Sequence, residues 1–223
     1  MGELIQFPSR GLATPVATVQ SLSRAASGRW LSVWDVDDWG RDDTLARAAA
    51  WLGRLRWETI TTGLELLPES GPAVVVVNTR RFRLTQWWVA LTLSAATGRP
   101  ARFVGRSDVA PFGAVGRRLG GLLERPDEVA GALRDGQLLV AGLSGTLDSR
   151  RVGHCDPHVL APAVERGVPV FPAAVALSDT TRSARIEIAP AIRRRRRGPL
   201  GNVEIAEAVE AKIGELLEMS GGV

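Results

Sequence analysis

The fold of this chain is decided by GPAVVVVNTRRFRL, residues 71–84. Its four consecutive valines are β-branched and apolar, which is typical of a short strand buried on both faces of a parallel sheet. Asn78 ends the run, and Thr79, Arg80 and Arg81 follow it. In open α/β sheets, ligands bind outside the carboxyl ends of the strands. The stretch therefore predicts a buried strand that leads into a candidate site, where Arg80 and Arg81 favour an anion.

Strand and helix signals alternate along the rest of the chain. Helices are predicted near residues 44–56, 84–97, 112–119, 126–135, 157–166 and 203–219. Strands are predicted near residues 57–66, 74–77, 102–105, 137–141, 168–176 and 185–189, with a short one after a Gly-Gly turn at 120–121. This alternation predicts a single α/β domain with a largely parallel central sheet flanked by helices on both faces. Residues 1–28 are rich in Ser, Ala, Thr and Pro, so we expect a mobile N-terminal tail before a domain at 29–223.

Composition narrows the classes of function. Cys155 is the only cysteine, so the chain forms no intrachain disulfide and a cytoplasmic location is favoured. No run of about eighteen apolar residues occurs, so any contact with the inner face of a membrane is predicted to be peripheral. The formal net charge of +4 is too small to indicate nucleic acid as a partner, and none is expected.

The end of the valine run resembles a known active-site motif. In the lysophospholipid (glycerol-phosphate) acyltransferase family, also called PlsC-like, an Asn-His at the end of such a strand is followed by four residues and an Asp. Here Asn78 is retained, whereas Thr79 stands where the His would be and Leu84 where the Asp would be. Imidazole suits removal of a hydroxyl proton, and a carboxylate orients it; a threonine hydroxyl and a leucine side chain do neither. The resemblance therefore implies a degenerate member that lacks the family's acid-base dyad.

A second segment resembles the acceptor-site signature of the same family. It is FVGRSDVAPFGAVGRRLGGLLERPDE, residues 103–128, and the family usually forms the acceptor site near a Gly-Gly turn and a following arginine. Here these residues are Gly120, Gly121 and Arg125. An arginine at the end of a short strand can hold a phosphate through two hydrogen bonds, which a glycerol-phosphate acceptor would require. The alternative is an ordinary surface arginine.

Two more segments complete a resemblance that covers roughly residues 57–192. The third is GLSGTLDSR, at 142–150, which matches the family's Phe-Pro-Glu-Gly-Thr followed by Arg and Ser. Gly145 and Thr146 are retained, but Ser144 replaces the glutamate and Leu147 the arginine. The fourth is GVPVFPAAV, which fits a strand on the acyl-binding side. Residues that shape the backbone are kept, and residues with chemical roles are replaced.

The only two histidines lie in HCDPH, residues 154–158. Pro157 breaks helical spacing and no second ligand cluster accompanies them, so no metal site is predicted. His154 or His158 is a candidate replacement base, because this loop follows the GLSGT turn and could fold over the same pocket. The alternative is an exposed or capping role.

Two other regions indicate surface contacts. Arg193, Arg194, Arg195, Arg196 and Arg197 form a cationic run that would attract anionic lipid head groups, with a nucleic-acid contact or a solvated loop as the alternatives. In the helix at 44–56, one face carries Leu45, Ala48, Ala49, Leu52 and Leu55. That face either packs on the domain, which we expect, or lies on a membrane.

The sequence therefore predicts a peripheral, lipid-binding pseudoenzyme with an acyltransferase-like fold. The resemblance implies an ancestral transfer of an acyl group from acyl-CoA or acyl-ACP to a glycerol-phosphate or lysophospholipid hydroxyl, with no further cofactor. The predicted ligand-binding residues are Asn78, Thr79, Arg80, Arg81, Arg125, Gly145 and Thr146. One alternative is an active acyltransferase whose base is His154 or His158. Another is a protein-interaction module that docks a partner through the Trp-rich segment 30–57.

Overall fold

The computed structural model describes residues 36–79, 84–144, 152–178, 182–193 and 198–219. The predicted tail at 1–28 lies outside these residues, and so do the candidate site residues Arg80, Arg81, Gly145, Thr146, Arg194, Arg195, Arg196 and Arg197. The described residues form one α/β domain around a seven-stranded sheet, as predicted.

The sheet is mixed but mostly parallel. Its strands are β1 (Glu58–Thr62), β2 (Ala73–Val77), β3 (Ala101–Val104), β4 (Gly121–Leu122), β5 (Leu138–Gly142), β6 (Val170–Ser178) and β7 (Ser183–Ile188). Their order across the sheet is β1-β7-β6-β2-β5-β3-β4. Neighbouring strands are parallel except for the antiparallel pair β6 and β7. Strands β2 to β6 therefore share one direction, and their carboxyl ends lie at one edge.

Helices cover both faces of this sheet. They are α1 (Asp43–Arg56), α2 (Leu84–Thr97), α3 (Phe112–Arg118), α4 (Pro126–Arg134), α5 (Pro157–Glu165) and α6 (Pro199–Met219). Helix α2 packs on one face, with α1 against it, and α4, α5 and α6 pack on the other. All five residues of β2 are buried, because Val75 and Val77 face α2 while Val74 and Val76 face the opposite layer. The valine run is thus the doubly buried strand that its sequence predicts.

The strand predicted at 57–66 is shorter in the structure. It ends at Thr62, and a turn of 3-10 helix, Leu64–Leu66, follows. Gly63 separates the two with a φ of 81°, in the left-handed region that favours glycine. A Cβ at Gly63 would lie 2.3 Å from the carbonyl oxygen of Ile188, so this close approach also requires glycine.

Helix α1 packs through a different face from the predicted one. Ala46 is buried, and a Cβ on Gly53 would lie 3.4 Å from the Trp88 ring. The larger apolar residues point outward: Trp51, Leu52 and Leu55 are 61%, 60% and 63% exposed. The prediction that Leu52 and Leu55 pack on the domain is therefore wrong, because the close approach of α2 and its tryptophan leaves room only for small residues.

Candidate functional site

Several residues of the four sequence signatures and of the HCDPH segment lie near the carboxyl edge of the parallel strands. Thr79 follows β2, Arg125 follows β4, and Ser144 follows β5. His158 lies in the first turn of α5, whose N-cap Asp156 accepts a hydrogen bond from the His158 backbone N–H at 2.9 Å. This edge is where ligands bind in open α/β sheets.

A pocket of about 320 Å³ opens at this edge. It is lined by Glu124, Arg125, Pro126, Val129, Ser144, Asp156, His158 and Val159. A second, much smaller cavity shares part of this lining and extends to Val76, Ala141, Gly142, Cys155 and Leu160. The pocket is therefore lined by both polar and apolar side chains, and its volume lies at the lower end of the range of small-molecule sites.

Arg125 provides a cation at the mouth of the pocket. Its side chain is 60% exposed, and its guanidinium lies 3.2 Å from the Asp108 carboxylate. Exposed ion pairs of this kind contribute about 0–1 kcal/mol, so Arg125 can exchange Asp108 for another anion. Arg125 thus lines a pocket and has an exposed carboxylate as its partner, and its role in binding stays a prediction.

Asn78 uses its amide to join two strands. Its Nδ2 donates to the carbonyl oxygen of Val175 at 3.0 Å, and its Oδ1 accepts from the Val175 N–H at 2.7 Å. The side chain is buried and is not part of the pocket lining. The observed contacts of Asn78 therefore connect the end of β2 to β6.

Thr79 occupies the position where the resemblance places a base. Its hydroxyl donates to the carbonyl oxygen of Leu143, and its side chain is half-buried. The hydroxyl proton is thereby committed to the backbone that follows β5. Helix α2 begins at Leu84, as predicted, so Leu84 is the first helical residue after this loop.

Gln86 is a polar residue of this region that sequence reasoning missed. It is only 3% exposed, and its Nε2 donates to the carbonyl oxygen of Val104 at 3.2 Å. Its Oε1 is buried and has no hydrogen-bond partner among the described residues. An unpaired buried acceptor costs about 1–3 kcal/mol, so such a group calls for an explanation. A buried glutamine among the apolar residues of α2 is the signal that could have identified it.

The two histidines differ in their position. The His154 backbone pairs with Ser144, its ring is 72% exposed, and its Nδ1 lies 2.9 Å from the Glu210 carboxylate. It does not line the pocket, whereas His158 does. Of the two candidate bases, the structure therefore brings only His158 beside Arg125.

Cys155 has no thiolate to offer at neutral pH. Its side chain is buried, and burial raises the pKa of the thiol to about 12, with further contributions from the charges of Glu210 and Asp156. The Cys155 N–H also donates to Glu210 at 2.6 Å. The thiol is therefore protonated at physiological pH and is a poor nucleophile.

The fold is similar to that of a solved acyltransferase. The crystal structure of the 1-acyl-sn-glycerophosphate (LPA) acyltransferase PlsC from Thermotoga maritima matches with a TM-score of 0.60. The match covers 80% of each chain at 18% sequence identity. The chain has a PlsC-like fold. No protein-family model and no curated protein sequence matches it, and an identity this low shows the fold alone.

Other features of this PlsC-like fold bear on metals and membranes. No group of three or more His, Cys, Asp or Glu side chains that could hold a metal ion occurs among the described residues. Within the same residues, no helix is both long enough and apolar enough to cross a bilayer. Arg193 is exposed, and it is the one member of the arginine run that is described.

The described tryptophans of segment 36–57 are mostly engaged within the PlsC-like domain. Trp39 donates from Nε1 to Asp135 at 3.0 Å, and Trp57 packs edge-to-face on Trp88. Trp51 is the exception, since it lies with Leu52 and Leu55 on an exposed apolar stripe of α1. A docking role for this segment would therefore depend on Trp51 and its neighbours.

Proposed function

We propose that this protein binds a monoacyl glycerol-phosphate lipid and does not transfer acyl groups efficiently. One observation carries the proposal: Thr79, in the place of a base, donates its hydroxyl proton to the Leu143 carbonyl, while Arg125 lines a pocket at the same sheet edge. A threonine hydroxyl supplies no base of near-neutral pKa, and an arginine that lines the pocket supports recognition of a phosphate.

The chemical part of the proposal concerns a proton. In the ancestral reaction a glycerol hydroxyl attacks the carbonyl carbon of an acyl thioester, the C–S bond breaks, and the hydroxyl proton passes through a base to the leaving thiolate of CoA or acyl carrier protein. Thr79 cannot accept that proton at neutral pH. Loss of a general base typically costs about 10²–10⁴-fold in rate. We therefore propose a pseudoenzyme.

The proposed ligand class is based on Arg125 and on the size of the pocket. Arg125 suits a phosphate, because its planar guanidinium forms paired charge-assisted hydrogen bonds. A volume of about 320 Å³ is at the small end for ligand sites, so we propose that it holds the glycerol-phosphate head group and that the acyl chain extends beyond it.

The membrane part of the proposal places the protein in the cytoplasm, at the inner face of the membrane. Helix α1 presents Trp51, Leu52 and Leu55 to solvent. The charged residues between positions 44 and 57 are all arginines. An apolar stripe beside cations suits an anionic lipid surface.

Co-sedimentation with phosphatidylglycerol vesicles should therefore occur at low salt, and binding should be weaker in the double variant Leu52→Ser/Leu55→Ser. Absence of binding at every salt concentration would favour a protein partner for this stripe.

Titration calorimetry with lysophosphatidate tests the binding proposal. Arg125→Gln should weaken the affinity by about tenfold or more, since a hydrogen bond to a charged group is lost. Arg134→Gln, which removes an exposed arginine from the other end of α4, is the matched control and should bind normally. Equal affinity of wild type and Arg125→Gln would refute the proposed site.

One observation favours a second candidate function, an active acyltransferase with a relocated base. His158 lines the same pocket as Arg125. If the His158 imidazole takes the hydroxyl proton, His158→Ala abolishes acyl transfer. His154→Ala does not, because the ring of His154 contacts Glu210.

A further inference from the structure

Strand β1 forms an open edge of the sheet. It pairs with β7 alone, and no described residue forms a backbone hydrogen bond to its outer side. The Glu58 N–H donates to the Arg182 carbonyl at 2.8 Å, so every second residue from Glu58 onward directs its backbone groups towards β7. The N–H and carbonyl groups of Thr59 and Thr61 therefore point outward, where another strand can pair with them.

The two edges of the sheet differ in their protection. An unpaired strand edge recruits other strands, so native edges are ordinarily very short, bulged, covered, or interrupted by Lys or Pro. Strand β1 has five residues, ETITT, none of which is Lys, Arg or Pro. The opposite edge strand, β4, has two residues, and both are buried. Edge pairing is therefore expected at β1 and not at β4.

One face of β1 is also exposed. Ile60 is 58% exposed, and Glu58 and Thr62 are exposed on the same face. Beside Ile60 on β7 lies Arg185, whose side chain is 54% exposed, so no described helix covers this face here. An apolar side chain at the centre of such a strand stays in contact with water unless another strand packs beside it.

A second copy of the same strand is complementary to this edge. When two β1 strands pair antiparallel about a two-fold axis at Ile60, Thr59 of each copy exchanges backbone hydrogen bonds with Thr61 of the other. The two Ile60 residues then form the closely spaced type of pair, with Cα atoms about 4.5 Å apart. Glu58 faces the neutral Thr62 of the other copy, so no like charges are directly opposed. The strand is thus self-complementary in hydrogen bonds, apolar contact and charge.

We propose that the protein forms a two-fold symmetric dimer in which the β1 strands of two copies pair antiparallel, centred on Ile60, and join the two sheets. The axis of such a pair runs perpendicular to the sheet, so α1 and α2 of both copies lie on the same side of it. The dimer thus carries two exposed α1 stripes on one side, which strengthens contact with an extended surface through multivalency. The pairing itself does not depend on the proposed ligand.

Analytical ultracentrifugation of the full chain, from low to high micromolar concentration, tests the association. A single pair of strands is a small interface, so a reversible monomer–dimer equilibrium is expected in this range. Ile60→Lys removes the apolar contact and opposes two cations, so it should weaken dimerisation by about tenfold or more. Val115→Lys is the matched control, because it changes an exposed apolar residue on α3, beside β4, and should dimerise like wild type.

Disulfide cross-linking tests the register of the two strands. The only native cysteine, Cys155, is buried, so an introduced cysteine supplies the only exposed thiol. Ile60→Cys opposes two thiols directly and should form an intermolecular disulfide under mild oxidation. Thr62→Cys is the control, because its two copies lie about 14 Å apart, beyond the reach of a disulfide. A mixture of Glu58→Cys and Thr62→Cys should cross-link, since these positions are opposed.

The outcomes decide between this dimer and other uses of the edge. A monomer at every concentration overturns the inference and favours an extended segment of another protein as the strand that pairs with β1. A dimer that persists in Ile60→Lys, shown by circular dichroism to be folded, also overturns it, because another surface then joins the copies. Equal cross-linking of Ile60→Cys and Thr62→Cys overturns the proposed register and the inference with it.

Discussion

The loops that follow β2 and β4 end at the same edge of the sheet but use their polar groups differently. After β2, Asn78 and Thr79 bond to the backbone of Val175 and Leu143. After β4, Arg125 is exposed and has only an exposed carboxylate as its partner. The polar groups after β2 are thus committed to contacts within the fold, whereas the guanidinium after β4 is open to solvent. Under the proposed function, binding and turnover would depend on different loops, so that one can be lost without the other.

The largest expected effect concerns the loop after β2. Asn78→Ala would leave the buried N–H and carbonyl of Val175 without partners, which should lower the free energy of unfolding by about 3 kcal/mol. Denaturant unfolding monitored by circular dichroism measures this change. Arg125→Gln, on the other loop, should unfold like wild type. Equal stability of Asn78→Ala and wild type would contradict the structural role of Asn78.

The second prediction concerns the thiol below the pocket. Since burial raises the Cys155 pKa from its ordinary value of 9.0 to about 12, the native thiol stays protonated where an unfolded one begins to ionise. Iodoacetamide at pH 8.5 should therefore label unfolded protein much faster than native protein. Because the pKa of the thiol is higher in the folded state than in the unfolded state, the contribution of this shift to the free energy of unfolding is fully present below pH 9. That contribution is lost as the pH rises towards 12.

Mass spectrometry of the labelled protein provides the measurement. Rapid labelling of the native protein at pH 8.5 would show an accessible thiolate. A reactive nucleophile would then line the small cavity beside the pocket. That result would contradict the proposal that the protein binds a ligand without carrying out chemistry on it.

The smallest expected effect concerns the loop after β4. Asp108→Asn removes the carboxylate that competes for Arg125, so the affinity for lysophosphatidate should rise a few-fold, about what an exposed ion pair contributes. Asp127→Asn removes the same charge from the first turn of α4 and serves as the control for net charge. If both variants raise the affinity equally, the specific pairing of Asp108 with Arg125 does not limit binding.

Local sequence signals predicted most of the fold. Helix α2 occupies Leu84–Thr97 as predicted, because a proline-free apolar run is closed by Gly98 and Pro100. The β2 strand follows from its valines alone. The prediction of the packing face of α1 was wrong. An apolar stripe in the sequence shows which residues share one side of a helix, but not whether a neighbouring helix leaves room for them. There Ala46 is buried, and Gly53 meets Trp88.

The site was predicted less completely. Arg125 and His158 line one pocket, because a Gly-Gly turn and a short loop place them at strand and helix ends, and their roles stay predictions. Gln86 was missed, because its contacts are with Val104 and Gly142, which lie on strands β3 and β5. Sequence proximity likewise gave no means of separating His154 from His158, since the contact with Glu210 that holds one of them comes from α6.

Acyl-thioester consumption tests the central claim most directly. Purified wild type, His158→Ala and His154→Ala are each given oleoyl-CoA and lysophosphatidate, and release of the CoA thiol is followed. The absence of a base at Thr79 predicts that all three release thiol at the rate of the protein-free mixture. Turnover by wild type that persists in His154→Ala and disappears in His158→Ala would contradict that claim and establish an active enzyme.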